Sequence, residues 1–516
     1  MQSETIVKHL NFGEDAKNKI FSGIEQLTRA VGSTLGANGQ CVILENTVGD
    51  PQITKDGVTV ADSIILLDPV ENMGAKLLKE AARKTVKEAG DGTTTATVLA
   101  HAILQEAYKA IKSESPRNIK EGINLAVEKV VKYLETQTAP VEGSVIEQVA
   151  TISANNDLKL GSIIGEAFRA VDETGIVMME THEEPDTRVE KIEGIQYDRG
   201  LINMHFVNNK EKGISELHNP LVLIIENHIQ SIRQIQSVLE YVIKNNKSLL
   251  LIADVEPQVL SALAMNKVKG NIKVNVIEAP VYGVNKKDTL DDLALLTGAT
   301  VINEDLGDDL DLIDISMLGT CLKSTTNRTE TILQLEKIPE EVNDLVSTLQ
   351  KQMNETSNPA IKVKIEKRLA RLLAKVAIVK VGANSEVELK EKKDRVEDAI
   401  CATKAAIKEG IVPGGGIALL NASDNLMVGK ISLGEEVLLN AIRAPFNVIL
   451  DNAGIKAIPA EMNEGEGLDV VTGKKVSMVK SGIIDPLLVT KSALTNAASV
   501  ATTILSTDCV INNIRA

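Results

Sequence analysis

Apolar residues recur at intervals of three and four from Glu14 to about Gln137, as in Ile20, Ile24, Leu27 and Val31 and again in Ala75, Leu78, Ala81 and Ala82. That spacing follows the turn of a helix and predicts an α-helical block for the first quarter of the chain. Between Gly175 and about Thr300 the pattern changes to short apolar runs, Leu221 to Ile225, Leu249 to Ile252 and Val274 to Ile277, alternating with helical stretches. Strand-helix-strand units are the expectation there, so the middle reads as α/β. Asn343 to Lys375 predicts a charged helical pair broken at Pro359, Val376 to Val381 a strand, and Glu386 to Glu409 a solvated helix of dense mixed charge. Past Gly410 the chain returns to Ala-rich helices. A helical beginning and end around an α/β middle predict nesting, with both termini completing one domain and the centre inserted into it.

At 516 residues the chain exceeds what one core usually serves, and two to four domains are expected. Lys and Arg number 56 against 71 Asp and Glu, a formal charge of -15, which argues against a protein held to nucleic acid by phosphate contacts. Aromatics are only 2% and Trp is absent, so stacking platforms for single-stranded bases are not expected either. Cys41, Cys321, Cys401 and Cys509 lie far apart without a C-x-x-C pair, which signals neither zinc nor a disulfide framework and fits a reducing compartment. Met1 to Ile6 lacks a basic region followed by an apolar core, and no run of eighteen apolar residues occurs. A soluble, cytoplasmic protein is predicted.

The sharpest chemical feature is Gly90-Asp91-Gly92-Thr93-Thr94-Thr95-Ala96-Thr97 at the start of an Ala-rich helix. Glycines let a backbone approach phosphate, a helix start presents free N–H groups, three hydroxyls can donate, and Asp91 could hold Mg²⁺. An ordinary capped helix uses the same residues, and spacing alone leaves both readings open. The Gly-Lys-Ser/Thr ending of a Walker A loop is missing. Thr34-Leu35-Gly36, Thr54-Lys55-Asp56-Gly57 and Pro413-Gly414-Gly415-Gly416 could each approach a nucleotide, or could each be a plain turn. Asp398 is one more charge in a charged helix, and from physics alone a solvated face explains it. The six His show no metal-site spacing and no Ser/His/Asp set.

Taken together, Thr34 to Gly36, Ile53 to Gly57, Glu71-Asn-Met-Gly74, Gly90 to Thr97, Thr151 to Asn155, Gly194 to Gly200, Arg395 to Asp398 and Gly414 to Gly416 stand in the order and spacing of group I chaperonins, from about residue 7 to residue 514. The chain resembles that family, the ATP-driven ring chaperones of bacteria and organelles. The resemblance implies a multidomain α and α/β protein: an equatorial ATPase domain from 1–138 and 409–516, a small intermediate domain from 139–193 and 376–408, and an apical client-binding domain over 194–375. It implies nucleotide contacts from Thr34, Leu35, Gly36, Lys55, Asp91, Gly92, Thr93, Thr94, Thr95, Ser153, Gly414, Gly415 and Asp485, with Asp91 on Mg²⁺ and K⁺ as a further candidate ion. Asp56 and Asp398 would orient or deprotonate the attacking water, Asp398 arriving when the intermediate domain swings down.

Client binding in this family uses apolar residues of two apical helices, which here implies Leu201, Phe206, Ile235, Leu239, Leu260, Leu263, Ala264 and Met265. In Glu256 to Lys269 apolar residues spread over most of the circumference, which fits an exposed groove; in Ser231 to Ile243 they cover one arc, which core packing could consume. Departures from the family pattern are Gln236 in place of a leucine, Ala37-Asn38 in the first nucleotide turn, Ala374-Lys375 at a hinge, and Leu201, Asn203 and His205 in an aromatic stretch. Asn447, Ile455 and Lys456 stand where charged contacts between two rings are usual, so a single ring is a hypothesis beside a double one. The expected protein is an ATP-hydrolysing homo-oligomer, a seven-subunit ring that folds non-native polypeptides, with a cochaperonin lid as a candidate partner. An ATP-uncoupled holdase or structural ring is the alternative, and a small-molecule kinase or ligase is the rival outside the family.

Overall fold

The stripe formed by Ile20, Ile24, Leu27 and Val31 lies on helix α1 (Gly13–Gly32), and all four side chains are buried. The computed structural model describes residues 7–513 except 46–48, 142, 172–175, 183, 198, 211, 280–283, 357–364, 366–367, 370–371, 373–374 and 456–462. The expected break at Pro359 and the departures at Ala374 and Lys456 lie outside the described residues.

Two compact units divide the chain: Met1–Glu166, Met179–Arg188 and Val379–Ala516 form one, Ala167–Met178 and Val189–Ile378 the other. In the first, α1 is followed by α2 (Gly57–Ser63), α3 (Pro69–Ala89), α4 (Thr93–Ala110), α5 (Pro116–Thr136) and α6 (Val145–Ser153). Asp68 caps α3 by accepting from Val70 N at 2.7 Å, with Pro69 at the first helical position, and Ser115-Pro116 opens α5 in the same way. Small residues let these helices close up: a Cβ at Gly23 of α1 would lie 1.9 Å from the Glu71 carbonyl oxygen, so only glycine fits where α1 meets α3.

The first quarter is not wholly helical. Between α1 and α2 stands an antiparallel hairpin, β2 (Val42–Glu45) and β3 (Pro51–Thr54), with Ile43 opposite Ile53. Both isoleucines are exposed, at 71% and 49%, and four-residue strands with an apolar face turned outward carry no pattern that a core would impose. The two ends of the described chain also pair, β1 (Lys8–Phe12) with β19 (Cys509–Asn513), leaving Leu10, Phe12 and Ile511 exposed.

The chain leaves the first unit within α7 (Leu158–Val171), re-enters it in β4 (Ile176–Thr181) as far as Arg188, and returns for good along β14 (Lys375–Val381) into α12 (Glu386–Glu409), the helix expected over that span. Then come α13 (Ile417–Leu426), α14 (Leu433–Ala441), α15 (Ala444–Asn452) and α16 (Leu487–Leu505), with β15 (Ile411–Pro413) paired to β18 (Ile484–Pro486) and β16 (Glu466–Asp469) to β17 (Lys474–Ser477). Leucine, isoleucine and alanine from α1, α3, α4, α5, α14 and α16 make one continuous core.

The second unit holds an antiparallel set ordered β5 (Arg188–Tyr197), β13 (Thr331–Leu335), β12 (Lys323–Thr326) and β6 (Ser215–His218). Beside it is a mainly parallel sheet ordered β10 (Val301–Ile302), β7 (Leu221–Ile229), β8 (Ser248–Val255) and β9 (Lys273–Ile277), with β11 (Gly319–Thr320) antiparallel on β7. Continuous apolar runs suit that sheet because both faces are covered: Val222, Ile224, Leu250 and Ile252 join one core, Leu223, Ile225, Leu249 and Leu251 another. Its helices are α8 (Gln236–Lys244), α9 (Pro257–Val268), α10 (Val284–Thr297) and α11 (Glu340–Glu355). The helix expected from Ser231 begins instead as a 3-10 turn over Ile232–Ile235, because Ser231 and Gln234 form a capping box ahead of α8. No helix among the described residues is long and apolar enough to cross a membrane.

Candidate functional site

In the first unit, segments far apart in sequence enclose a cavity of about 390 Å³. Its polar end is built on α4. Gly92, at φ 94°, turns the chain into the helix in a conformation that a side chain would strain, and a Cβ there would also lie 2.8 Å from Val489 Cγ1. No side chain caps α4, which leaves its first-turn N–H groups without a capping partner, and Thr93, Thr94 and Thr95 of that turn line the cavity. Gly416, which opens α13, is likewise without a capping side chain and lines the same space.

Carboxylates crowd this end. Asp56 caps α2, its Oδ1 accepting from Val58 N at 3.1 Å and its Oδ2 from Thr59 N at 2.8 Å and Thr59 Oγ1 at 2.7 Å. Asp91 accepts from Gly92 N; burial, followed by the charge of Asp56, raises its proton affinity. Asp485, on β18, accepts from the Gly415 N–H, yet burial and then Asp91 push its carboxyl up to about 7. Asp398, on α12, is held well above the usual carboxylate range by burial and by Asp91, Asp56 and Asp394. A hard divalent cation is what such a set of buried, mutually repelling oxygen donors would accept, and Asp91 fits Mg²⁺ on that ground.

Lys55 is the cation beside them, donating to Asn155 Oδ1 at 2.7 Å and to the Gly36 carbonyl at 3.3 Å; burial lowers its proton affinity. The Leu35 turn is fixed from behind by Asn452, whose Nδ2 donates to the carbonyls of Gly32 and Leu35 at 2.9 Å each. Pro445, Phe446, Ile449, Met478 and Ile483 make an apolar wall opposite. Helix α12 is docked: Lys390 donates to Gln52 Oε1 at 3.0 Å, Arg395 lies 3.6 Å from Asp157, and Ala402 and Ala406 pack against Val149 of α6. Asp398 therefore already stands in the lining with Asp56 and Asp91.

Thr34, Leu35, Gly36, Lys55, Asp56, Asp91, Gly92, Thr93, Thr94, Thr95, Ser153, Asp398, Gly415 and Asp485 all line this one cavity. Gly414 does not: its N–H donates to the Ile483 carbonyl at 2.9 Å and it packs against the backbone of Ile484, so it is Gly416 that joins Gly415 in the wall. Sequence reasoning missed the apolar wall and Asp394, one turn before Asp398, whose carboxyl is pushed up to about 6 by burial and then by Asp56. The i, i+4 spacing of Asp394 and Asp398 was the available signal.

The apical candidates divide differently from the expectation of an exposed groove. Phe206, Ile235, Leu239, Leu263 and Ala264 are buried in one core and Leu201 and Leu260 are partly buried, leaving Met265, with Ile243 and Val268, exposed. The spread of apolar residues around α9 is explained by two demands, packing on β9 and surface display, and Lys267 pins the helix by donating to the His205 carbonyl at 3.0 Å. Two histidines meet acids: His228 lies 3.3 Å from Asp254 and 3.0 Å from Glu256, and His182, Glu184 and Asp186 bring ligand atoms within 4.8 Å of one another, but Arg188 already bridges Glu184 and Asp186.

Chaperonin gp146 from bacteriophage EL 2 (Pseudomonas aeruginosa), solved in the presence of ATP-BeFx in two crystal forms, has a similar fold. The TM-scores are 0.73 and 0.66 at 23% identity, over 99% of this chain and 100% of the phage chain. The architecture is thus that of a chaperonin. Residues 27–515 match the TCP-1/cpn60 chaperonin family, and the chain belongs to it.

Proposed function

We propose that this chain is the subunit of an ATP-hydrolysing chaperonin that binds non-native polypeptides and promotes their folding through nucleotide-driven conformational change. The observation that carries this is the convergence of Asp56, Asp91 and Asp398 with the uncapped start of α4 on one cavity. The triphosphate would lie along the α4 N-terminus, with the base against Pro445, Ile449 and Ile483, and Lys55 would exchange Asn155 for a phosphate oxygen. Mg²⁺ held by Asp91 would supply charge neutralisation of the phosphates when bound.

Asp56, with both oxygens engaged by α2, is a fixed acceptor that orients the attacking water. Asp398 takes the proton as the water oxygen bonds to the γ-phosphorus and the bond to the β,γ-bridging oxygen breaks, releasing ADP and phosphate. We assign 1–138 and 409–516 to an equatorial domain, 139–193 and 376–408 to an intermediate domain and 194–375 to an apical, client-binding domain. Exposed Ile43, Ile53, Leu10, Phe12 and Ile511 on short strands support assembly into a closed ring, for which seven subunits, one layer or two, and a detachable lid are the finer proposals.

The test is Mg²⁺-dependent phosphate release, followed by ATP-dependent recovery of a denatured enzyme with and without a cochaperonin. Asp398→Ala is expected to lower hydrolysis about a hundredfold and to abolish recovery while nucleotide still binds. Equal suppression of aggregation by both proteins, with no enzyme recovered by either, would make the chain a holdase.

A further inference from the structure

We propose that the segment from Glu304 to Ile315 is a docking surface for polypeptide stretches that interleave lysine or arginine with apolar residues. The inference rests on the chaperonin reading and names the class of client that reading leaves open. Glu304-Asp-Leu-Gly-Asp-Asp-Leu-Asp-Leu-Ile-Asp-Ile315 contains six acids and no base. An ordinary solvated acidic loop would stop at that. Here Leu306, Leu312 and Ile315 are exposed at 74%, 75% and 43%, whereas Leu310 and Ile313 of the same segment are buried in the core that also holds Ile235 and Leu239. The chain is anchored by every second or third apolar residue and displays the others.

The display is held in shape. Asn303 Oδ1 accepts from Asp305 N at 2.8 Å, Asn303 N donates to Asp308 Oδ2 at 2.9 Å, and Asn303 Nδ2 reaches Glu226 Oε2 at 2.7 Å. Glu304 N donates to Asn227 Oδ1 at 2.8 Å, and Asp314 Oδ1 accepts from Ser316 N at 2.9 Å. The turn over Leu310–Leu312 packs on the 3-10 turn Ile232–Ile235 and on α8, the elements that carry the client candidates Ile235 and Leu239. Arg233 is the base on the adjoining turn.

Acidic clients would be repelled, and purely apolar ones would desolvate the carboxylates of Glu304 and Asp305 without pairing their charge. A lysine or arginine covers exposed leucine with its methylene stem while its head meets a carboxylate, so one residue type satisfies both halves of the surface.

The experiment uses the assembled, nucleotide-free protein and three labelled peptides in which leucine alternates with lysine, glutamine or glutamate, with binding followed by fluorescence anisotropy at low and high salt. The lysine peptide is expected to bind about tenfold more tightly than the glutamine peptide, a preference that fades at high salt. Glu304→Gln with Asp305→Asn should erase the preference and leave glutamine-peptide binding intact; Glu304→Lys with Asp305→Lys should turn it toward the glutamate peptide. Equal binding of lysine and glutamine peptides by the wild-type protein would overturn the inference and leave the chaperonin reading standing, whereas binding of none would count against that reading too. Loss of assembly in the variants with the lysine preference kept would make the segment a contact between copies of this chain and also overturn it.

Discussion

Asp56 and Asp398 share a cavity but are held in opposite ways. The first is pinned by three hydrogen bonds from the start of α2, with only one of them on Oδ1; the second has no hydrogen-bond partner among the described residues and is kept basic by its neighbours. A fixed acceptor and an open one are what separate orienting from deprotonating roles require. Asp394 belongs to the same set and carries a measurable signature. Its carboxyl, pushed up to about 6 against an ordinary value of 3.8, binds a proton more readily in the folded chain than in the unfolded one. Stability is therefore lost as pH rises from about 4 through 6. Removing the charge with Asp394→Asn should abolish that loss. Discounting for the solvent this group still meets, the gain should be about 1 kcal/mol near pH 8 and close to nothing near pH 4. Urea-unfolding midpoints without nucleotide at the two pH values would show it, and equal shifts at both would refute it.

At the scale of elements, the helix crossings of the first unit tolerate no added bulk. A Cβ at Gly74 of α3 would lie 2.3 Å from the Ile20 carbonyl oxygen of α1, and neither backbone can yield without moving its helix. Gly74→Val is expected to cost about 3 kcal/mol and to lower the thermal midpoint measurably by calorimetry. What the sequence discloses follows from who imposes the pattern. The core imposed it on Ile20, Ile24, Leu27 and Val31, on the runs in β7, β8 and β9, and on α12 through its charge, and these elements were readable. The β2–β3 hairpin faces outward, so its alternation looked like noise. Capping chemistry at Ser231 replaced the first turn of an expected helix. In the cavity, Asp91 is legible as a metal candidate from its Gly-rich helix start and Asp56 as a carboxylate on a turn, whereas only resemblance singles out Asp398, locally one more charge on a charged helix. Asp394 and the wall of Pro445, Phe446 and Ile449 needed the tertiary fold to bring them there.

For the molecule as a whole, the strands that display apolar side chains matter more than the buried ones. Ile43 and Ile53 stand opposite each other and exposed on the β2–β3 hairpin, an apolar pair that isolated subunits would have to cover. Ile43→Asp combined with Ile53→Asp should leave nucleotide binding near the wild-type value, since neither side chain lines the cavity, while shifting the assembly toward monomers. Mass photometry alongside calorimetric titration with an ATP analogue would separate the two effects, and intact rings from the double variant would remove the hairpin from the interface.

Those same strands would give the newly made subunit a second identity. Before it finds partners it displays isoleucine, leucine and phenylalanine, which is the chemistry the finished machine is proposed to capture. Each completed particle would thus shelter the unfinished copies around it, so that production starts slowly and then quickens as its own output accumulates.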